Sequence, residues 1–167
     1  MELLQKTDYF ILDMDGTVYL GEELIPGARE FITKLERLDK DFILLTNNSS
    51  RSKNYYLHKL ASLGIEVSRD KIVTSGEATA AYICRQKHNP RVYLVGTSSL
   101  RKEFRSYGIE VITEQNESIE NIDFVVVGFD TSLNYDKISQ AHCLLLKGTE
   151  YLATNPDRVC PLERGQT

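Results

Sequence analysis

The chain has 167 residues, 41% of them hydrophobic and 26% charged, with a net charge of −4. That composition belongs to an ordinary globular protein of one domain or two small ones. The acidic balance shows no basic stripe, so nucleic acid is not an expected partner. No apolar run approaches the roughly 20 residues of a membrane span, and the N-terminus lacks a signal-peptide pattern. Cys84, Cys143 and Cys160 have no metal-ligand spacing. Their odd number suits reduced thiols, hence a cytoplasmic location.

Taken in chain order, strand and helix patterns alternate. Tyr9–Leu12 reads as a strand that runs into Asp13, Met14, Asp15 and Gly16. Gly21 to Pro26 reads as a loop. Pro26-Gly27 opens a helix with Ala28, Phe31, Ile32, Leu35 and Leu38 at helical spacing. Phe42–Leu45 is continuously apolar, as for a strand covered on both faces. A second helix from about Ser52 carries Tyr56, Leu60 and Leu63, and Gly64 suits its left-handed C-terminal cap. A short strand over Ile72–Thr74 and a helix over Glu77–Lys87 follow.

His88-Asn89-Pro90 is a loop signal, and the alternation then restarts. Strands are predicted at Arg91–Val95, Ile109–Ile112, Phe124–Val127 and Tyr151–Ala153. A helix over Ser99–Tyr107 ends at Gly108. Tyr135, Ile138, His142 and Leu145 mark another, and "TEQNESIEN" between them is polar and reads as loop or a poor helix. Repeated strand–helix–strand units predict an α/β fold with mostly parallel sheets.

Two strand ends carry unusual residues. The first ends at Asp13, with Asp15 one residue beyond Met14. The second ends at Thr46, followed by Asn47, Asn48, Ser49, Ser50 and Arg51. A right-handed crossover puts the C-terminal ends of both strands on one sheet edge. If the strands are neighbours, their axes lie about 4.8 Å apart. Two carboxylates then meet a cluster of hydroxyls and amides. Carboxylates attract a divalent cation, and hydroxyl and amide donors suit an anion's oxygens, so the pair reads as metal plus phosphate. One carboxylate could attack phosphorus while the other handles protons. The same stretch also suits a plain Asp-Gly turn with helix-cap chemistry, and residues 13–16 alone leave both open. An EF-hand loop starting at Asp13 would put Leu24 where a bidentate Glu is required. There is no Walker A loop and no GxGxxG.

Three stretches, "DMDGTVYLGEELIPGA", "LLTNNSSRS" and "YLATNPDRVCP", together resemble the haloacid dehalogenase-like phosphatase superfamily. The resemblance is to its NagD-like branch of p-nitrophenyl, pyridoxal and phosphoglycolate phosphatases. It implies a parallel-sheet, Rossmann-like core with an inserted α/β cap domain. The expected division is residues 1–81 in the core, 82–153 in the cap and 154–167 returning to the core. It also implies hydrolysis of a small phosphorylated metabolite with Mg²⁺, through an aspartyl-phosphate. Asp13 would be nucleophile and metal ligand, and Asp15 the acid/base, with its backbone carbonyl on the metal. Thr46, Asn47 and the backbone at Met14 would bind the phosphoryl group. Asn48, Ser49 and Arg51 would lie at the substrate rim and Asn155 at the cleft. Related caps sometimes dimerise, so a homodimer through the cap is a further expectation.

One departure stands out. The family's lysine and its Gly-Asp acidic cluster come after the "TNPD" stretch and are not found here. The chain is therefore expected to be the N-terminal part of a phosphatase, and the alternative expectation is a catalytically incomplete fragment or phosphate-binding module. Lys147 is read as a solvated helix-end charge, Asp130 as part of the cap, and Asp157 as a turn residue. His58, His88 and His142 have no recognisable ligand partner.

Overall fold

A computed structural model describes residues 5–115, 118–157, 161–162 and 165–166. The chain divides into two compact units. The first contains residues up to Thr46, Lys53–Val73 and those from Asp157 on; the second contains Asn47–Ser52 and Thr74–Pro156.

In the first unit, β1 (Tyr9–Asp13) pairs in parallel with β4 (Asp41–Thr46), and β5 (Ile72–Thr74) completes the order β1-β4-β5. Helix α1 (Ala28–Arg37) connects β1 to β4, and α2 (Lys53–Ser62) follows β4. A small hairpin, β2 (Tyr19–Leu20) with β3 (Glu23–Leu24), occupies part of the stretch expected to be loop. Two-residue strands carry no periodicity, so nothing in the pattern announces them. Gly64, at φ 76°, has the left-handed conformation expected of it beyond α2.

The core gathers Ile32 and Leu35 of α1, Phe42 and Leu44 of β4, Tyr56 and Leu60 of α2, and Ile72 of β5. Phe31 and Leu38, read as members of the α1 apolar face, remain 37% and 47% exposed. The expectation that β4 is covered on both faces also needs correction. Phe42, Leu44 and Thr46 are buried, whereas Leu45 is exposed, and on β1 Tyr9 and Ile11 are exposed as well. Alternate side chains of a strand point to opposite faces, so one face of this pair is packed and the other is open.

The second unit is a four-stranded parallel sheet in the order β7-β6-β8-β9: β6 (Arg91–Val95), β7 (Glu110–Ile112), β8 (Phe124–Val127) and β9 (Glu150–Ala153). Helices α3 (Ser75–Gln86), α4 (Ser98–Ser106) and α5 (Tyr135–Leu146) accompany it. Val92, Leu94 and Val126 pack with Ala80, Ile83, Leu100 and Phe104 on one face. Tyr93, Val95 and Val125 pack with Ala141 and Leu144 on the other. A near-continuous apolar run is what a strand buried on both faces requires, and β6 and β8 supply it. The last strands, β10 (Pro161–Leu162) and β11 (Gly165–Gln166), pair antiparallel with each other.

Helix α5 forms where its periodicity predicts, but it buries a different face. Tyr135 and Ile138 are 81% and 51% exposed, and the buried residues are Lys137, Ala141 and Leu144. The reason is an ion pair. Lys137 Nζ donates to Asp130 Oδ2 at 2.7 Å and to Ser132 Oγ at 2.8 Å and its carbonyl at 3.1 Å, with both charged side chains almost wholly buried. Asp130 Oδ1 also accepts from the Ser132 amide and hydroxyl. Burial alone would raise the Asp130 carboxyl, but the hydrogen bonds from Lys137 and Ser132 outweigh it and hold it below the usual range. A depressed carboxylate adds stability above its unfolded value near 3.9, and that stability is lost as pH falls through the lower folded value.

Asp130→Asn leaves the buried ammonium without its counter-charge and should cost about 3 kcal/mol or more, read as a lowered urea midpoint at neutral pH. Asp130→Asn with Lys137→Met should recover most of that loss. The difference between wild type and Asp130→Asn should begin to shrink below about pH 4 and close as pH falls through the depressed folded value, where the wild-type carboxylate is itself protonated.

Candidate active site

Asp13 ends β1 in register with Leu45, so Thr46 lies one residue further along β4. The Met14 amide continues the ladder by donating to the Leu45 carbonyl at 3.1 Å. The chain then turns sharply. The Met14 carbonyl accepts from the amides of Val18 at 2.9 Å and Tyr19 at 3.1 Å, and Gly16 N donates to Tyr19 O at 2.7 Å. Gly16 takes φ 86°, a left-handed conformation that a side chain would strain. The Met14 side chain is fully buried, which anchors the turn and leaves Asp13 and Asp15 on either side of it.

Asp15 Oδ2 faces the Tyr19 hydroxyl at 3.4 Å and the Thr46 hydroxyl at 3.5 Å, both at the long limit of a hydrogen bond. Thr46 is 1% exposed and Tyr19 is fully buried. Lys59 Nζ lies over the Tyr19 ring, 4.2 Å from its centroid, and its charge also acts on Asp15. Desolvation raises the Asp15 carboxyl, against the opposing pull of Lys59, Tyr19 and Thr46. Desolvation raises Asp13 too. The charges of Asp15 and Asp157 add to that, and the Met14 amide opposes it. Burial first, and then Asp15, push the Tyr19 phenol far up, so it stays a neutral donor. Tyr19 and Lys59 were not among the residues singled out from sequence. The available signal was the four-residue step from Asp15 to Tyr19; nothing in the spacing of α2, which also buries Lys53, singles out Lys59.

The remaining candidate residues fall in the second unit. Asn47 presents its carbonyl to Ser75 Oγ at 2.9 Å and to Asn155 Nδ2 at 3.0 Å. Asn48 Oδ1 closes a local turn on the Ser50 amide and hydroxyl. Ser49 does not sit on an exposed rim. It is fully buried, accepts from the Phe129 amide at 2.9 Å, and shares a 2.8 Å hydrogen bond with Thr154 Oγ1. Gly128 permits this approach, since a Cβ there would fall 2.9 Å from Ser49 Oγ and 2.5 Å from Leu100 Cδ2. Thr97 Oγ1 donates to the Ser50 carbonyl at 2.9 Å. The Asn47–Ser52 segment is thus tied to the ends of β6, β8 and β9, and Asn47 and Arg51 are its exposed members.

Among the other acidic and basic residues, Lys147 is the exposed C-cap of α5 and Asp130 is committed to Lys137. His58, His88 and His142 are exposed. Cys84 and Cys143 are exposed free thiols, while Cys160 lies outside the described residues. Among the described residues no three Asp, Glu, His or Cys side chains are grouped to hold a metal. Asp13 and Asp15 form a two-carboxylate set whose mutual repulsion and partial desolvation a cation would relieve. Mg²⁺ fits such a set, because it keeps several waters and needs only one or two protein carboxylates.

The sequence pattern of the haloacid dehalogenase-like hydrolases matches residues 10–110, and the chain belongs to that family. Its neighbours lie in the NagD and p-nitrophenyl phosphatase branch. The acid sugar phosphatase of Staphylococcus haemolyticus is 35% identical over 156 residues, which is 93% of this chain and 57% of the relative. The chain therefore spans little more than half the length of the curated relatives it matches. The structure of 4-nitrophenylphosphatase from Thermotoga maritima superposes with a TM-score of 0.90 at 45% identity, covering 99% of this chain and 61% of that one. Glycerol phosphate phosphatase from Mycobacterium tuberculosis, solved in complex with magnesium, gives 0.86 at 28% identity, covering 98% and 48%.

Because Asp13 is raised, ionising it disfavours the folded chain as pH climbs from about 4 through the raised value. Asp13→Asn should thus melt at or above the wild-type temperature at neutral pH without divalent cation. That advantage should vanish below about pH 4. Added Mg²⁺ should raise the melting temperature of wild type more than that of the variant. A variant less stable than wild type at neutral pH would show that the carboxylates do not repel.

Proposed function

We propose that the protein is a Mg²⁺-dependent phosphatase that hydrolyses a small phosphorylated metabolite through an aspartyl-phosphate. The observation that carries this reading is that β1 ends at Asp13 beside the end of β4, with the Thr46 hydroxyl facing the Asp15 carboxylate at that edge. Family membership supports it, as does the name of each relative.

In the proposed reaction an Asp13 carboxylate oxygen attacks phosphorus, and the bond to the leaving oxygen breaks. Asp15 gives that oxygen its proton. Desolvation raises its carboxyl, the direction that suits a group that must hold a proton. In the second half-reaction Asp15 takes a proton from water, which attacks the phosphorus of the acyl phosphate. Inorganic phosphate leaves and the Asp13 carboxylate is restored. Thr46 orients a phosphoryl oxygen, with Asn47 and the Met14 backbone as further donors and Asn48, Arg51 and Asn155 toward the substrate. Bound at the Asp13 carboxylate and the Asp15 backbone carbonyl, Mg²⁺ would screen the repulsion between carboxylate and phosphate and stabilise the transferring group.

The second unit is assigned the role of cap, the segment that shapes the rest of the pocket. Exposed Tyr135, Ile138 and Leu146 on α5 and Tyr151 on β9 support a homodimer through that unit, which light scattering on the purified protein would detect. No helix among the described residues is long and apolar enough to cross a membrane. The exposed free thiols of Cys84 and Cys143 support a reducing, cytoplasmic location.

A second reading, a chain that binds phosphate without turning it over, has one observation in its favour: the carboxylate set stops at two among the described residues. Measuring both phosphate binding and release of inorganic phosphate, with and without Mg²⁺, separates the readings.

Asp13→Asn should abolish hydrolysis of p-nitrophenyl phosphate and leave the circular dichroism spectrum unchanged; appreciable residual turnover removes Asp13 as nucleophile. Thr46→Val should lower kcat/KM by the equivalent of about 1–3 kcal/mol, the loss of one hydrogen bond to a charged oxygen. Unchanged kinetics would put Thr46 outside the site.

A further inference from the structure

Stability alone gives Lys59 little reason to lie where it does. Its side chain, on α2, is only 11% exposed. Taking an ammonium out of water is costly unless a strong partner compensates. The carboxylate beside it belongs to Glu22, which stands 3.6 Å from Nζ and is itself mostly exposed. A long pair with an exposed partner contributes little. Nζ also rests on the face of the Tyr19 ring, 4.2 Å from its centroid. A cation in that place holds the ring from one side.

Tyr19 is fixed through its backbone as well. Its amide donates to the Met14 carbonyl at 3.1 Å, and its carbonyl accepts from the Gly16 amide at 2.7 Å. Across the β2–β3 hairpin it pairs with Leu24. With ring and backbone both held, the phenol points at one atom, Asp15 Oδ2, at 3.4 Å. The Thr46 hydroxyl reaches the same oxygen at 3.5 Å. A hydroxyl has a single hydrogen to give. In the proposed reaction Thr46 gives its hydrogen to a phosphoryl oxygen, so it cannot serve Asp15 at the same moment. Tyr19 has no second duty of this kind, because its side chain is wholly buried.

We infer that Tyr19 is a positioning residue for Asp15 and that Lys59 holds Tyr19 in place. The phenol anchors Oδ2, fixes the carboxyl in one rotamer and leaves Oδ1 to carry the transferable proton. The consequence for turnover rests on the phosphatase reading. As Asp13 attacks and the bond from phosphorus to the leaving oxygen breaks, the O–H bond at Asp15 Oδ1 breaks and its proton passes to that oxygen. Asp15 is left as a carboxylate, and the Tyr19 hydroxyl donates to the charge on Oδ2. A leaving group that needs a proton therefore depends on Tyr19, and one that departs readily as an anion does not.

The test has two arms, both on the full chain. The first is the coupling between Hα and Hβ of Asp15 in the nuclear magnetic resonance spectrum, which reports the side-chain rotamer without any turnover. Wild type should show one rotamer. Tyr19→Phe, which keeps the ring and removes the hydroxyl, should show averaged couplings, and so should Lys59→Met. Lys59→Arg, still a cation over the ring, should keep the wild-type value. The second arm is kcat/KM with Mg²⁺ for phenyl phosphate, whose phenolate leaves poorly, and for p-nitrophenyl phosphate, whose anion leaves readily. Tyr19→Phe should lower the first about tenfold, the weight of one hydrogen bond to a developing charge, and the second by no more than about twofold. A merely structural defect would slow both esters alike. The inference is overturned if Asp15 keeps one rotamer in Tyr19→Phe, if Lys59→Met leaves the couplings unchanged, or if both esters slow by the same factor. Wild type that releases phosphate from neither ester, with the couplings as expected, would instead overturn the phosphatase reading and leave the positioning of Asp15 standing.

Discussion

The parallel pairing of β1 with β4 is the constraint on which the rest depends. Parallel strands joined by a crossover must end on the same edge, and the register sets Asp13 against Leu45. Thr46 then comes within reach of Asp15, and the Met14 amide extends the ladder by one bond before the chain turns. A slip of one residue would exchange the two faces of the strand and send these side chains apart. The apolar side chains that secure the register, Phe42 and Leu44 among them, are therefore as necessary to the site as the carboxylates.

That pairing holds an arrangement the chain would not adopt for stability. Asp13 and Asp15 are each raised by desolvation, and their like charges add to the effect on Asp13. Tyr19, Thr46 and Lys59 offset the burden at Asp15 without removing it. Carboxylates kept in this condition fit a cation, whose charge would relieve them. The second unit repeats the theme with different chemistry. Its sheet edge anchors Asn47–Ser52 through Ser49 and Ser50.

Much of this was legible in the residues. Strand and helix positions followed from apolar runs and helical spacing, since those patterns act within a few residues. The restart near Pro90 coincides with the beginning of the second sheet at Arg91. Asp13, Asp15 and Thr46 stood out because each sits at the end of an apolar run, where a polar residue needs a reason. Other features were not legible. Tyr135 and Ile138 looked like the buried face of α5 and are exposed, because the Lys137–Asp130 pair turns a charged residue inward. Ser49 looked like a rim residue and is buried, because Gly128 leaves room for its hydroxyl beside the Phe129 amide.

The sequence by itself determined the order of strands and helices, the α/β class, and the two strand ends that carry carboxylates and hydroxyls. Each of these rests on local patterning. Only the tertiary structure decided which face of each helix is covered, which hydroxyls are engaged, and that Tyr19 and Lys59 surround Asp15. These outcomes depend on residues far apart in the chain. Their partners are chosen by packing and by the need of every buried charge for a counter-charge, and spacing along the chain encodes neither.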